Sequence, residues 1–192
     1  MNSEPDSDPC ERLFVALALP EPVREELASL AGPVPGVFWT RKDQLHVTLR
    51  FLGDVPAGQA ERIDEKLAQI RVEPFLLPVE GLGVFPPKGP PRVLWAGVGT
   101  GHPRLYQLRQ RLDDALLSAG LDLDVRSFQP HVTLARCSER ASEFVSAWLR
   151  SHRGLSAPPF RVEAFDLCSS VLRPSGAEHS LKRRYRLDPP GP

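Results

Sequence analysis

Cysteine is scarce in this chain and scattered: Cys10, Cys137 and Cys168 are odd in number and far apart. They make no C-x-x-C pair, which excludes the common zinc-binding and dithiol motifs and leaves reduced thiols as the expectation. Long apolar runs are missing too, since nothing approaches the ~20 residues that a membrane-spanning helix needs. Nor is there an excess of charge, because 24 Lys and Arg balance 24 Asp and Glu. A neutral chain lacks the field to slide along long nucleic acid, although a local site for one terminal phosphate stays open. The first ten residues are acidic and polar, without the basic and apolar regions of a signal peptide or the arginine-rich helix of a transit peptide. A cytoplasmic protein is expected.

What remains is an ordinary globular composition of 192 residues, 41% apolar and 25% charged, enough for one well-buried core. Proline and glycine divide it into alternating strand and helix patterns. Strands are expected over Arg12 to Leu19, Gln44 to Leu52, Leu76 to Phe85, Arg92 to Val98, Phe128 to Arg136, Phe160 to Leu172 and Leu181 to Leu187. A first helix starts near Pro20, with Val23, Leu27 and Leu30 inward and Gly32 as its stop. A second runs from about Pro56 to Ile70. A third, from Pro103 to a stop at Gly120, carries Leu105, Leu108, Leu112 and Leu116, and a fourth, capped by Ser138, buries Phe144, Val145, Trp148 and Leu149. The pattern predicts an α+β single domain over residues 12–187, with residues 1–11 and 188–192 as disordered tails.

Two segments stand out. His46-Val-Thr-Leu49 and His131-Val-Thr-Leu134 are identical and 85 positions apart, in a chain with five histidines and four threonines. Chance would supply ~0.1 His-x-Thr occurrences at that composition, so coincidence is a poor explanation. Side chains two apart on a strand share a face. In the first copy the odd-numbered positions form an apolar face while His46, Thr48 and Arg50 line the other. In the second, His131 and Thr133 oppose Val132 and Leu134. Each strand then presents an imidazole and a hydroxyl together.

Those groups suit phosphoryl chemistry. Imidazole titrates near neutrality, so one histidine can accept a proton while its twin donates one. Threonine hydroxyls can hydrogen-bond non-bridging phosphate oxygens and steady the charge of the transition state. Placed on opposite sides of a phosphodiester, the pair can activate water on one flank and protonate the leaving oxygen on the other. Nothing in that scheme calls for a metal or another cofactor. A metal site would need three or four suitably spaced ligands, and neither copy supplies H-x-x-x-H or an adjacent set of carboxylates. A Ser or Cys nucleophile has no elbow motif here.

Beyond these motifs the chain resembles the two-histidine (2H) phosphoesterase superfamily, and within it the bacterial RNA 2′,3′-cyclic phosphodiesterases, long called 2′-5′ RNA ligases. Arg12-Leu-Phe-Val-Ala-Leu-Ala-Leu-Pro20 is similar to that family's opening strand. Trp39 through His46-Val-Thr-Leu-Arg-Phe-Leu-Gly53 is similar to its first motif block, and Phe128-Gln-Pro-His131-Val-Thr-Leu-Ala-Arg136 to its second. The resemblance implies two similar lobes of antiparallel-type sheet with helices outside, related by a pseudo-twofold axis, and both motifs lining a central cleft. It implies hydrolysis of RNA 2′,3′-cyclic ends to 2′-phosphomonoesters, with His46 as proton donor, His131 as proton acceptor, and Thr48, Thr133 and Arg136 holding the phosphate. Strict alternation sets Arg136 on the face opposite His131, so that role requires a β-bulge or a strand end. Where the family often has a tyrosine after a glycine, this chain has Gly176-Ala-Glu-His179.

Other features point less sharply. Lys182, Arg183, Arg184 and Arg186 could hold RNA phosphates, or be the charge that protects an edge strand. Phe38 and Trp39 could stack a base, although packing is the better expectation for both. His102 and His152 are explained by capping or exposure at helix ends, and Cys137 by packing. Two other activities fit the residues: a 2H enzyme acting on 2′-5′ linkages or another small cyclic phosphodiester, and a non-catalytic protein that binds RNA ends. A monomer is expected.

Overall fold

The computed structural model describes residues 10–124, 127–173 and 176–188. The expected tails at 1–9 and 189–192 fall outside them. In chain order the elements are β1 (Cys10–Ala18), α1 (Glu21–Ser29), β2 (Val37–Trp39), β3 (His46–Pro56), α2 (Ala57–Leu67), β4 (Phe75–Phe85) and β5 (Val93–Val98). Then come α3 (Pro103–Ser118), β6 (His131–Cys137), α4 (Ser142–Ser151), β7 (Ser156–Val162), β8 (Ala164–Arg173) and β9 (Gly176–Arg186). β1 starts at Cys10, inside what was expected to be tail.

The strands form one antiparallel sheet in the order β7-β4-β5-β6-β3-β1-β8-β9, with β2 paired to β6. Its middle is narrow: β3 and β6 meet at Val47 opposite Val132, the second residue of each motif. On one side of that seam lie β3, β1, β8 and β9, and on the other β6, β5, β4 and β7. These are the two expected lobes. Their likeness runs beyond the tetrapeptide, because β1-α1-β3 and β5-α3-β6 have the same order and in each the histidine strand lies beside its own first strand. An antiparallel pairing of equivalent residues at the seam is what a pseudo-twofold axis requires.

Helices cover one face and leave the other to the cleft. Val23 and Leu27 of α1, Ile63 and Leu67 of α2, Leu105, Leu108, Leu112 and Leu116 of α3, and Val145 and Trp148 of α4 join a single core with Leu17, Val47, Leu49, Val132 and Leu134 from the sheet. Pro103 opens α3, as expected from its fixed φ and absent N–H, and Gly120 just past the end adopts φ 83°. No helix among the described residues is long and apolar enough to cross a membrane.

Some expectations fail locally. α4 begins at Ser142, after a single 3₁₀ turn over Glu139–Ala141, so Ser138 caps no α-helix. The buried stripe is then Ala141, Val145 and Trp148, which turns Phe144 outward. The run from Phe160 to Leu172 is two strands, not one. It breaks at Glu163, with Val162 paired to β4 and Ala164 paired to β9. Adjacent residues therefore belong to opposite lobes, which is possible only because the twisted sheet curls. The apolar pattern continues across the switch and conceals it.

Candidate active site

Each motif strand carries a bulge at the same place. Ala16 opposes Thr48 while Val15 opposes Arg50, so Leu49 is the extra residue in β3. Trp95 opposes Thr133 while Leu94 opposes Ala135, so Leu134 is the extra residue in β6. A bulge places two consecutive side chains on one face and reverses the alternation beyond it. Leu134 and Ala135 are both buried, and Arg136 returns to the face of His131 and Thr133. The bulge that a role for Arg136 required is present.

The matching bulge in β3 corrects a second expectation. Arg50 does not line the cleft: it points to the helix side, where Nε donates to Asp113 at 2.8 Å and Nη1 to the Asp124 carbonyl at 2.8 Å. Phe51 takes its place on the cleft face, opposite Phe14 and 71% exposed. Each bulge also frees a carbonyl that must be satisfied. Arg109 of α3 donates to the Leu49 oxygen at 2.5 Å, and the backbone N–H of Thr40 donates to the Leu134 oxygen at 2.8 Å.

Carrying the Val47–Val132 register one residue either way sets His46 beside Thr133 and Thr48 beside His131. The two imidazoles and two hydroxyls thus form a four-cornered group on one face of the seam. Both rings are anchored alike. Nδ1 of His46 meets the carbonyl of Gln44 at 2.7 Å, and Nδ1 of His131 meets the carbonyl of Gln129 at 2.7 Å. A carbonyl only accepts, so Nδ1 carries hydrogen in both rings and Nε2 is the atom left for chemistry. His46 Nε2 lies 3.0 Å from Thr48 Oγ1. The repeat is accordingly Gln-x-His-Val-Thr-Leu; the two glutamines were visible in the sequence but carried no weight, because their contribution is a backbone carbonyl.

Electrostatics separates the two rings. Burial lowers the pKa of His46 to about 4, partly opposed by the Gln44 carbonyl and reinforced by His179 and His131. Burial also lowers His131, again opposed by its carbonyl partner. The walls differ as well: Phe14 at 5.2 Å and His179 at 5.0 Å flank His46, whereas Phe85 at 5.0 Å and Trp95 at 6.2 Å flank His131. Trp95 lies flat against Gly83, where a Cβ would come within 2.2 Å of the indole.

Beside this group is a cleft of about 440 Å³ that brings together His46, Thr48, Thr133, Arg136 and His179, with Phe38, Phe51 and Leu172 on its wall; His131 stands at its edge, outside that lining. A larger cavity of about 650 Å³ lies elsewhere, lined from both lobes, but Arg24, Arg161 and Arg184 in it pair with Glu21, Glu163 and Asp166 and it contains no imidazole. Among the described residues, no three His, Cys, Asp or Glu side chains gather as a metal-binding set.

The less sharply defined candidates now separate. Trp39 packs, its Nε1 donating to the Gly32 carbonyl at 2.7 Å and its ring against Trp148. Phe38 does not pack; it is 67% exposed in the cleft and opposes Arg136. The basic run of β9 is no patch, because Lys182 pairs with Glu11, Arg183 with Asp64 and Arg184 with Asp166. His102 stacks on Phe75 without capping α3, His152 Nδ1 lies 2.8 Å from the Trp148 carbonyl at the end of α4, and Cys137 packs against the core.

Comparison with known proteins agrees with this arrangement. The profile described as LigT-like phosphoesterase matches residues 17–95 and again residues 98–177, each match containing one of the two His-Val-Thr-Leu motifs. The chain is 35% identical to the RNA 2′,3′-cyclic phosphodiesterase of Archaeoglobus fulgidus over 86% of its own length and 94% of the relative's. It is 40% identical to the enzyme of the same name from Aeropyrum pernix over 80% and 86%. Escherichia coli LigT in complex with 3′-AMP superposes with a TM-score of 0.71 at 28% identity, covering 93% of this chain and 98% of that one.

Proposed function

The chain belongs to the LigT-like phosphoesterase family, and we infer that it hydrolyses RNA 2′,3′-cyclic phosphodiester ends, with His46 as proton donor and His131 as proton acceptor. The observation that carries this reading is the pair of Nδ1-anchored imidazoles on the cleft face of two strands joined at Val47 and Val132. A phosphate seated between the strands meets Nε2 of one ring on each side. Nε2 of His131 takes a proton from water, whose oxygen attacks phosphorus in line with the 3′ oxygen. The P–O3′ bond breaks, the 3′ oxygen receives the proton of His46 Nε2, and a 2′-phosphomonoester results. Thr48 and Thr133 donate hydrogen bonds to the non-bridging oxygens, and Arg136 adds a cation where charge develops.

Burial makes His46 reluctant to hold a proton in the free protein, and an anionic phosphate beside it reverses that preference. Substrate binding and charging of the donor are therefore coupled, so the acid is armed only when there is something to protonate. The relatives' substrate and the 3′-AMP bound to LigT support a nucleotide or RNA end as the ligand. We place the protein in the cytoplasm as a monomer that needs no metal or other cofactor.

Incubation of purified protein with RNA bearing a 2′,3′-cyclic end, in the presence of a chelator, tests the reading. A 2′-phosphate product is expected. A 3′-phosphate product exchanges the leaving oxygen, RNA bound but unchanged favours a binding module, and a metal requirement rules out the two-histidine mechanism.

A further inference from the structure

His179 of β9 is the one histidine on the cleft face that the duplicated motif leaves unused. Its ring closes a triangle with Phe14 at 4.8 Å and His46 at 5.0 Å, while Phe14 and His46 are 5.2 Å apart. Its backbone N–H donates to Gln44 Oε1 at 3.0 Å, and the carbonyl of that same glutamine holds Nδ1 of His46. One residue thus ties the backbone of His179 to the ring of His46. Nδ1 of His179 is buried and has no partner among the described residues, so Nε2 is the nitrogen left to meet a ligand in the cleft. Behind the triangle an adjoining cavity of about 140 Å³ shares Phe14, Gln44, His46 and His179 with the cleft and is floored by Ala16, Ala18 and Cys168.

This position fits one part of the substrate. If His46 protonates the 3′ oxygen, the nucleoside that owns that oxygen lies on the side of His46, and the attacking water lies on the side of His131. We propose, resting on the function inferred above, that His179 binds the terminal nucleoside, its Nε2 hydrogen-bonding the ribose or base while the adjoining cavity gives that nucleoside room. Burial lowers the pKa of His179, which keeps a second cation away from the proton donor.

The test compares adenosine 2′,3′-cyclic phosphate with ethylene cyclic phosphate, which has the same five-membered ring and no nucleoside. For His179→Ala, KM for the nucleotide rises about tenfold, the effect of one lost hydrogen bond, and the ratio of kcat/KM between the two substrates falls by a similar factor. His179→Gln, whose amide nitrogen lies near the Nε2 position, recovers most of that ratio. An unchanged ratio in His179→Ala overturns the assignment while leaving the hydrolase reading intact, because a purely structural role would weaken both substrates equally. Wild-type protein inert on both substrates overturns the hydrolase reading and this assignment with it.

Discussion

His46 and His131 sit in hexads that differ only at Leu45 and Pro130, have the same tautomer fixed by the same kind of carbonyl at the same distance, and precede the same bulge. Their surroundings are not the same. His46 is the more strongly shifted ring, walled by Phe14 and a third histidine; His131 is walled by Phe85 and Trp95. Past the bulges the lobes diverge again, with Arg136 on the cleft face of one and Phe51 on that of the other. A duplicated motif therefore presents two imidazoles anchored alike in unlike surroundings, with Phe38 and Arg136 facing the cleft from β2 and β6 and Phe14 and Phe51 from β1 and β3. A phosphate with a nucleoside on one side only is an asymmetric ligand that such a cleft can orient.

The deepest test of that comparison removes each ring in turn. His46→Ala and His131→Ala are each expected to lower kcat at least about a hundredfold on a 2′,3′-cyclic nucleotide with chelator present. If either variant keeps wild-type turnover, the two copies do not act as a pair.

The bulges differ in what satisfies them, and stability should show it. Arg109→Ala leaves the Leu49 carbonyl without its donor and Asp113 short of a partner, at a cost of about 3 kcal/mol by denaturant unfolding. Thr40→Ala costs little, because a backbone N–H satisfies the Leu134 carbonyl. Equal losses would mean that the bulges are not held in these different ways.

Arg136 and Phe51 occupy matching positions with unlike chemistry. Arg136→Ala is expected to raise KM by about tenfold or more through loss of a charge-assisted contact to phosphate, and Phe51→Ala by a few-fold through loss of an apolar surface for the base. Michaelis constants measured on the nucleotide and on ethylene cyclic phosphate separate the two, since only the arginine effect should persist without a base.

The smallest effect is on acid stability. His46 has a folded pKa of about 4 against an ordinary value near 6.5 in the unfolded chain. Between those values the unfolded chain binds more protons, so the contribution of His46 is complete above pH 6.5 and is lost as the pH falls towards 4. Wild-type Tm in phosphate-free buffer should drop over that range. His46→Ala should remove more of the drop than His131→Ala, and the reverse order would contradict the burial difference between the rings.

Much of this was legible in the sequence. The periodicity of Leu105, Leu108, Leu112 and Leu116 located α3, and the repeated His-Val-Thr-Leu located both catalytic candidates on polar strand faces. The bulges were not legible as such, because an extra residue in a strand shows only in its partner's register; hence Arg50 was set in the cleft and Phe51 in the core. The strand switch at Glu163 was hidden for a related reason, since pairing partners leave no mark on an apolar alternation. Phe38 and Trp39 read alike as adjacent aromatics and separated only when β2 set one on each face.

Local pattern by itself determined the chemical groups, their spacing and the period-2 exposure that pairs each imidazole with a hydroxyl, all properties of a few neighbouring residues. Tertiary structure alone decided which faces survived past the bulges, which ring was buried more deeply, and that a histidine 133 positions from His46 stands against it. Those depend on contacts between strands remote in sequence, where burial and neighbouring charge, rather than residue type, set what an imidazole can do.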